Sequence, residues 1–213
     1  MNLVKSIVIL FYGLILFGCQ TLTPYDYSAI QASKPRSILV IPPMNDTVEV
    51  NAPYTFLSSI SKPLAEKGYY VFPVAVIDNF MKENGLPAPE EMNAVPLEKL
   101  REIIGPDAVL YVHISEWGQK YQIVMSTAVT RAQLKLVDAR TGVLLWDAEA
   151  YAVQSSDSGG GGIASMLVNA LANQIAGSMV DQTKNLSSIA NATAISDKQQ
   201  GLPQGPYLKV SLP

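Results

Sequence analysis

The chain has 213 residues, enough for one domain with a sizeable core, and its 15 Lys and Arg against 18 Asp and Glu give a net charge of −3. That balance excludes the basic face that nucleic-acid binding requires. One cysteine and one histidine exclude a disulfide framework and any zinc site built on paired histidines.

Residues 1–18 read as a signal peptide, with Lys5 followed by an uncharged run from Ser6 to Gly18 rich in Ile, Leu, Val and Phe. The run is shorter than the about 20 apolar residues of a permanent span. It ends Leu16-Phe17-Gly18-Cys19, which resembles the lipobox of signal peptidase II substrates, with Phe17 bulkier than usual before the small residue. Cys19 is therefore the expected lipidation site, bearing a thioether-linked diacylglycerol and an N-acyl chain such as palmitate. At about 0.8 kcal/mol for each buried methylene, such chains anchor a protein without any spanning segment. Gln20 follows, and the resemblance to lipoprotein sorting signals implies delivery to the outer membrane, facing either the periplasm or the cell surface.

Residues 19–36 hold Pro24, Pro35 and several Ser and Thr, so they read as a lipidated tether. At about 3.3 Å per residue it would lift the folded part well off the membrane. A single α/β domain is expected over residues 37–185, followed by a polar C-terminal tail over residues 186–213.

Within the domain, Ile38-Leu39-Val40-Ile41 closed by Pro42-Pro43 suits a strand buried on both faces. A helix is expected over residues 53–67, with Phe56, Leu57, Ile60 and Leu64 on one side, Gly68 as its cap, and Pro63 kinking or splitting it. A strand over 69–72, a helix over 75–84, a loop over 86–91 and a helix over 96–104 follow. The last should turn Leu97, Leu100, Ile103 and Ile104 to one side.

Three long strands over 107–117, 121–138 and 143–153 form an antiparallel meander, joined by a turn at Gly118-Gln119 and another at Ala139-Arg140-Thr141-Gly142. The fold class is therefore α/β (α+β): a mixed β-sheet with a three-stranded antiparallel meander and helices packed on it. After four glycines at 159–162 comes a helix over 163–184 whose apolar residues recur every fourth position. Its other side carries Asn169, Ala172, Asn173 and Ala176 and no charge. That side is either an interface with another protein surface or a surface buried inside the domain, and the expectation is a homodimer in which this helix takes part.

The catalytic inventory is thin, so no enzyme, cofactor or metal site is expected. His113 lies on the strand face of Tyr111 and Ser115, where a polar surface role suffices. The tetraglycine lacks the Lys-Ser/Thr of a phosphate-binding loop, since Ile163-Ala164 stands there. The Asp138-to-Trp146 turn motif of β-propellers occurs once, which makes one hairpin.

The order of lipobox, tether, Ile38-Leu39-Val40-Ile41-Pro42-Pro43, helix, and Ala132-Gln133-Leu134-Lys135-Leu136-Val137-Asp138 leading into Arg140-Thr141-Gly142 resembles the CsgG/LpoB group of outer-membrane lipoproteins. Within that group it is similar to a family of lipoproteins known from Neisseria and other Gram-negative bacteria, whose domain is like the N-terminal domain of TolB. The resemblance covers residues 19–185. It implies an accessory or scaffold in envelope transport, secretion or surface assembly, with membrane and envelope-protein partners and frequent oligomerisation, and it brings no catalytic residue. The chain has no evident pair of membrane-spanning β-hairpins such as the curli pore carries. The alternative is a solute-binding component of a transporter, which would need an apolar pocket with converging polar groups.

Overall fold

Four consecutive aliphatic residues in one strand leave no face for water, so Ile38, Leu39, Val40 and Ile41 require cover on both sides. The computed structural model, which describes residues 24–121, 126–155 and 179–208, supplies it with a layer of helices on each face of a mixed sheet. In chain order the elements are α1 (Ser28–Ser33), β1 (Ser37–Val40), β2 (Met44–Asn45), α2 (Ala52–Glu66), β3 (Tyr70–Val71), α3 (Val74–Glu83), α4 (Pro89–Asn93), α5 (Leu97–Ile103), β4 (Ala108–Tyr121), β5 (Ser126–Asp138), β6 (Leu144–Ser155) and α6 (Met179–Ser196). The sheet order is β3-β1-β4-β5-β6, with β2 also paired to β4.

β1 is parallel to both β3 and β4, whereas β4, β5 and β6 run antiparallel in succession. Ile38 and Val40 join a core with Phe56, Leu57, Ile60 and Leu64 of α2 and with Leu186, Ala190 and Ile195 of α6. Leu39 and Ile41 turn the other way, onto Ile77 and Met81 of α3, Met92 of α4 and Leu100 of α5. The mixed sheet and its meander match the sequence expectation.

Several local expectations are corrected. α2 is not split at Pro63, which is itself buried and stands near the helix end, where Leu64, Ala65 and Glu66 complete the last turn. The expected loop over 86–91 contains the start of α4, opened by Pro89 and closed back by the Glu91 carboxylate accepting from the Ala88 N–H at 3.3 Å. Ile103, expected with Leu100 against the core, is 63% exposed.

The first meander turn is also displaced. Gly118 and Gln119 lie inside β4, opposite Val129 and Ala128, so the connection falls on residues 122–125, outside the described residues. The register steps from Ile114 opposite Ala132 to Glu116 opposite Arg131, making Ser115 an inserted residue. A β-bulge of this kind shifts the side-chain alternation by one. That shift is why Ile114 and Trp117, three apart, both face the core.

Both ends of the domain extend beyond the expected limits. The tether was expected through residue 36, yet Tyr25, Tyr27, Ala29 and Ile30 pack on the main core and residues 28–33 form α1. The tail was expected from residue 186, yet α6 continues to Ser196 and contributes Leu186, Ala190, Ala194 and Ile195 to the core, with Leu202 beyond it. Between α2 and α6 the buried Ser59 Oγ lies 2.8 Å from Ser187 Oγ and accepts from Asn191 Nδ2 at 2.9 Å. Two helices in a shared apolar layer thus gain a fixed register.

Asp138 explains the Asp-Ala-Arg-Thr-Gly turn. Its Oδ1 accepts the backbone N–H of Arg140 and of Thr141, each at 2.8 Å, its Oδ2 accepts Ser33 Oγ at 2.6 Å, and Gly142 takes the positive φ of 72° that closes the turn. Burial alone would raise the Asp138 carboxyl, but the hydrogen bonds from Ser33, Thr141 and Arg140 outweigh it and hold the group below the ordinary carboxylate value.

A depressed folded pKa contributes stability that is complete above the unfolded value of about 3.9 and is lost as pH falls through the folded one. Asp138→Asn should therefore cost about 1–3 kcal/mol near pH 7, measured by urea unfolding, and the gap to wild type should narrow below about pH 4. A gap that stays the same width at both pH values contradicts this role.

Candidate interaction surface

Among the described residues β6 is the last strand of the sheet, so half of its backbone groups face away from β5. Asp147 identifies which half. Its N–H donates to Tyr25 Oη at 2.9 Å and its carbonyl accepts Gln200 Nε2 at 3.0 Å, so this residue turns its backbone outward. β5 and β6 pair without a register shift from Leu136 opposite Trp146 to Thr127 opposite Ser155. By the two-residue alternation, Glu149, Tyr151 and Val153 also present their N–H and C=O groups along the open edge.

The first part of that edge is covered. Tyr25 donates its hydroxyl to Asp147 Oδ1 at 2.7 Å, and Trp146 Nε1 donates to the Gln200 carbonyl at 2.7 Å. Burial, reinforced by the bond to the Asp147 carboxylate, pushes the Tyr25 phenol up to about 12. It therefore remains a donor at any neutral pH. Tyr27 completes the cover by donating to the Gly201 carbonyl at 2.8 Å.

Beyond Asp147 the edge borders a groove of about 320 Å³ between β6 and α6, floored by Ala148, Ala190 and Ala194 and lined as well by Tyr151 and Thr193, with the carboxylates of Glu149 and Asp197 among its walls. The alanines arise from the strand alternation: Ala148, Ala150 and Ala152 point to the helix side of the sheet, Glu149 and Tyr151 to the other. Small side chains leave room beside the strand for another backbone. From Asn185 to Ser196, α6 carries no charged residue, and Ser188, Ala192, Thr193 and Ser196 stand exposed on it.

The opposite face of the meander is polar and firmly organised. Arg131 donates from Nε to Glu116 Oε1 at 2.9 Å and from Nη1 to Glu149 Oε1 at 2.8 Å, with its guanidinium carbon 4.2 Å from the centre of the Tyr151 ring. This network ties β4, β5 and β6 together. Glu149 and Tyr151 thus have fixed side chains while their backbone groups stay open.

The residues singled out in the sequence fall elsewhere. Cys19, Asn169, Ala172, Asn173 and Ala176 lie outside the described residues, as do the tetraglycine and the helix expected over 163–184 up to residue 178. His113 is exposed, with Nε2 2.6 Å from Asp46 Oδ2 at the surface. Among the described residues no group of three His, Cys, Asp or Glu could hold a metal ion, and no helix is long and apolar enough to cross a membrane. The β6 edge went unremarked in the sequence, although Ala148, Ala150 and Ala152 in alternation beside Glu149 and Tyr151 are its signal.

Among the described residues, the mixed sheet ends in a long edge strand flanked by an uncharged stretch of helix. The chain belongs to a lipoprotein family: the model described as "Putative lipoprotein GNA1162-like" matches residues 25–207. It is similar to the "Putative lipoprotein NMB1124/NMB1162" of Neisseria meningitidis serogroup B, 40% identical over 196 residues that make up 91% of each chain. Its fold is like the crystal structure of lipoprotein GNA1162 from Neisseria meningitidis, with 44% identity, 68% of this chain and 100% of that one covered, and a TM-score of 0.56. The LpoB C-terminal domain from Salmonella enterica is also similar, at 17% identity over 55% of this chain and 82% of that one, with a TM-score of 0.37. That last likeness is too distant to argue from. Membership makes the protein a membrane-anchored lipoprotein, and the matched span starts at the tyrosines that cover β6.

Proposed function

We propose that this is a non-enzymatic lipoprotein of the outer membrane, anchored through Cys19, that pairs with itself through the open edge of β6 and serves as a scaffold in envelope transport, secretion or surface assembly. The observation that carries the reading is the row of outward backbone groups on Glu149, Tyr151 and Val153 beside an alanine-floored groove. Natural sheets blunt long edges with proline, bulges or lysine, and residues 147–155 contain none of these. An added strand satisfies those groups and extends the sheet.

The length of the anchor segment supports a second copy as the added strand. Only five residue steps separate Cys19 from Pro24, the first described residue, a reach of about 17 Å at most. Tyr25 sits on Asp147, so the anchor holds the start of the β6 edge near the membrane. Two copies anchored in one leaflet would meet with their edges at the same height, at a high effective concentration. Antiparallel pairing of β6 with its copy is two-fold symmetric, which closes the assembly at a dimer. The uncharged faces of the two α6 helices would then lie beside each other over the joined sheet.

Two outcomes test the reading. Cys19→Ser should abolish incorporation of a palmitate analogue in cells, and undiminished labelling would remove the anchor from the proposal. Val153→Pro deletes an outward N–H that has no partner among the described residues. Sedimentation of the lipidated protein in detergent should show dimer for wild type and at least tenfold weaker association for the variant, with unchanged circular dichroism. A monomeric wild type, or equal association in both, would overturn β6 pairing.

A further inference from the structure

The chain reverses direction around β1. It passes through α2 to β3 on one side and then, through α3 to α5 on the other face, back past β1 to β4. The C-terminal end of β1 is therefore a topological switch point, the place where open sheets with parallel strands leave a crevice for ligands. A cavity of about 310 Å³ lies there, bounded by Pro42 after β1, the first turns of α2, the polar side of α3 and the entry to α4. That volume is in the lower range of small-ligand sites.

Its walls are mostly apolar and stiff: Pro42, Pro53, Pro87 and Pro89, with Leu57 and Met92 behind them. One polar cluster converges on it. Lys82 donates to Asp78 Oδ2 at 2.6 Å and to Tyr54 Oη at 3.3 Å, and its ammonium lies 5.1 Å from the Tyr54 ring centre. Asp78 is only 9% exposed, whereas Tyr54 is 53% exposed at the mouth. These bonds use two of the three Lys82 protons, and Tyr54, accepting from Lys82, keeps its own proton to give. The first turn of α2 adds the positive end of a 15-residue helix, with no acidic residue in that turn to offset it.

We propose that this cavity binds a singly charged carboxylate on an apolar body, either a small organic acid or the C-terminal residue of a peptide. The apolar body fills the proline-walled space, and the carboxylate accepts from the third proton of Lys82 and from the Tyr54 hydroxyl. Asp78 holds Lys82 in place, and with Glu90 on the rim it disfavours multiply charged anions such as phosphates. The site does not depend on the pairing of β6, which is three strands away across the sheet.

The test uses the mature protein and four probes: N-acetyl-leucine, a hexapeptide ending in a free leucine carboxylate, and the carboxamide of each. Backbone amide NMR shifts at Tyr54, Asp78, Lys82 and Glu90 should saturate with the acids, and the carboxamides should bind at least tenfold more weakly. Lys82→Met keeps the stem and removes the charge, and Tyr54→Phe keeps the ring; each should weaken acid binding by at least fivefold while the dichroism spectrum stays unchanged. Tighter binding of the hexapeptide than of N-acetyl-leucine assigns a protein C-terminus, and equal binding assigns a small acid. Acids that shift none of these amides, or acids and carboxamides that bind alike, overturn the proposal.

Discussion

Every backbone N–H and C=O removed from water needs a partner, and this requirement organises the molecule outward from β4. β4 meets it with β5 antiparallel along one side and, from Ala108 to Ile114, with β1 and β2 parallel on the other. At the β6 edge the requirement is met by side chains as far as Asp147, where Tyr25 and Gln200 stand in for a neighbouring strand. Past that point no partner stands among the described residues. The terminal segments thus belong to the fold because they cover the first part of this edge.

The elements legible in the sequence were those whose pattern is fixed by burial alone. A strand covered on both faces is a run of aliphatics, as at Ile38 to Ile41, and one face of α2 shows its helical period in Phe56, Leu57, Ile60 and Leu64. The Asp138 turn was legible because its carboxylate and Gly142 have one geometry to adopt. Less legible were the features that depend on distant partners. α1 reads as tether until Tyr25 and Tyr27 are placed against Asp147 and Gly201. Gly118 reads as a turn, although the bulge at Ser115 keeps β4 paired through it. α6 beyond Lys184 reads as polar because Ser187 and Asn191, both buried, find their partner in Ser59 on another helix. In the candidate site, no local pattern reveals that β6 ends the sheet, since edge position is a property of strand order.

The two surfaces of interest have separate physical origins. The β6 edge is a deficit of backbone partners among the described residues, beside alanines that leave space. The cavity at the end of β1 follows from the crossing of the chain from one face of the sheet to the other, lined by prolines that hold it open. A membrane-anchored lipoprotein with both could join copies along the bilayer and present a ligand or peptide site on each. The short reach from the anchor makes the first of these a matter of height above the membrane as well as of affinity.

Hydrogen exchange along β6 in the lipidated protein tests the central claim most directly, because alternate amides on one strand report different partners. The inward N–H groups of Ala148, Ala150 and Ala152 should be protected at every protein concentration. The outward N–H groups of Glu149, Tyr151 and Val153 should exchange fast in dilute detergent solution and become protected as the protein is concentrated or placed in vesicles. Outward amides that stay fast under all these conditions would contradict strand pairing at this edge.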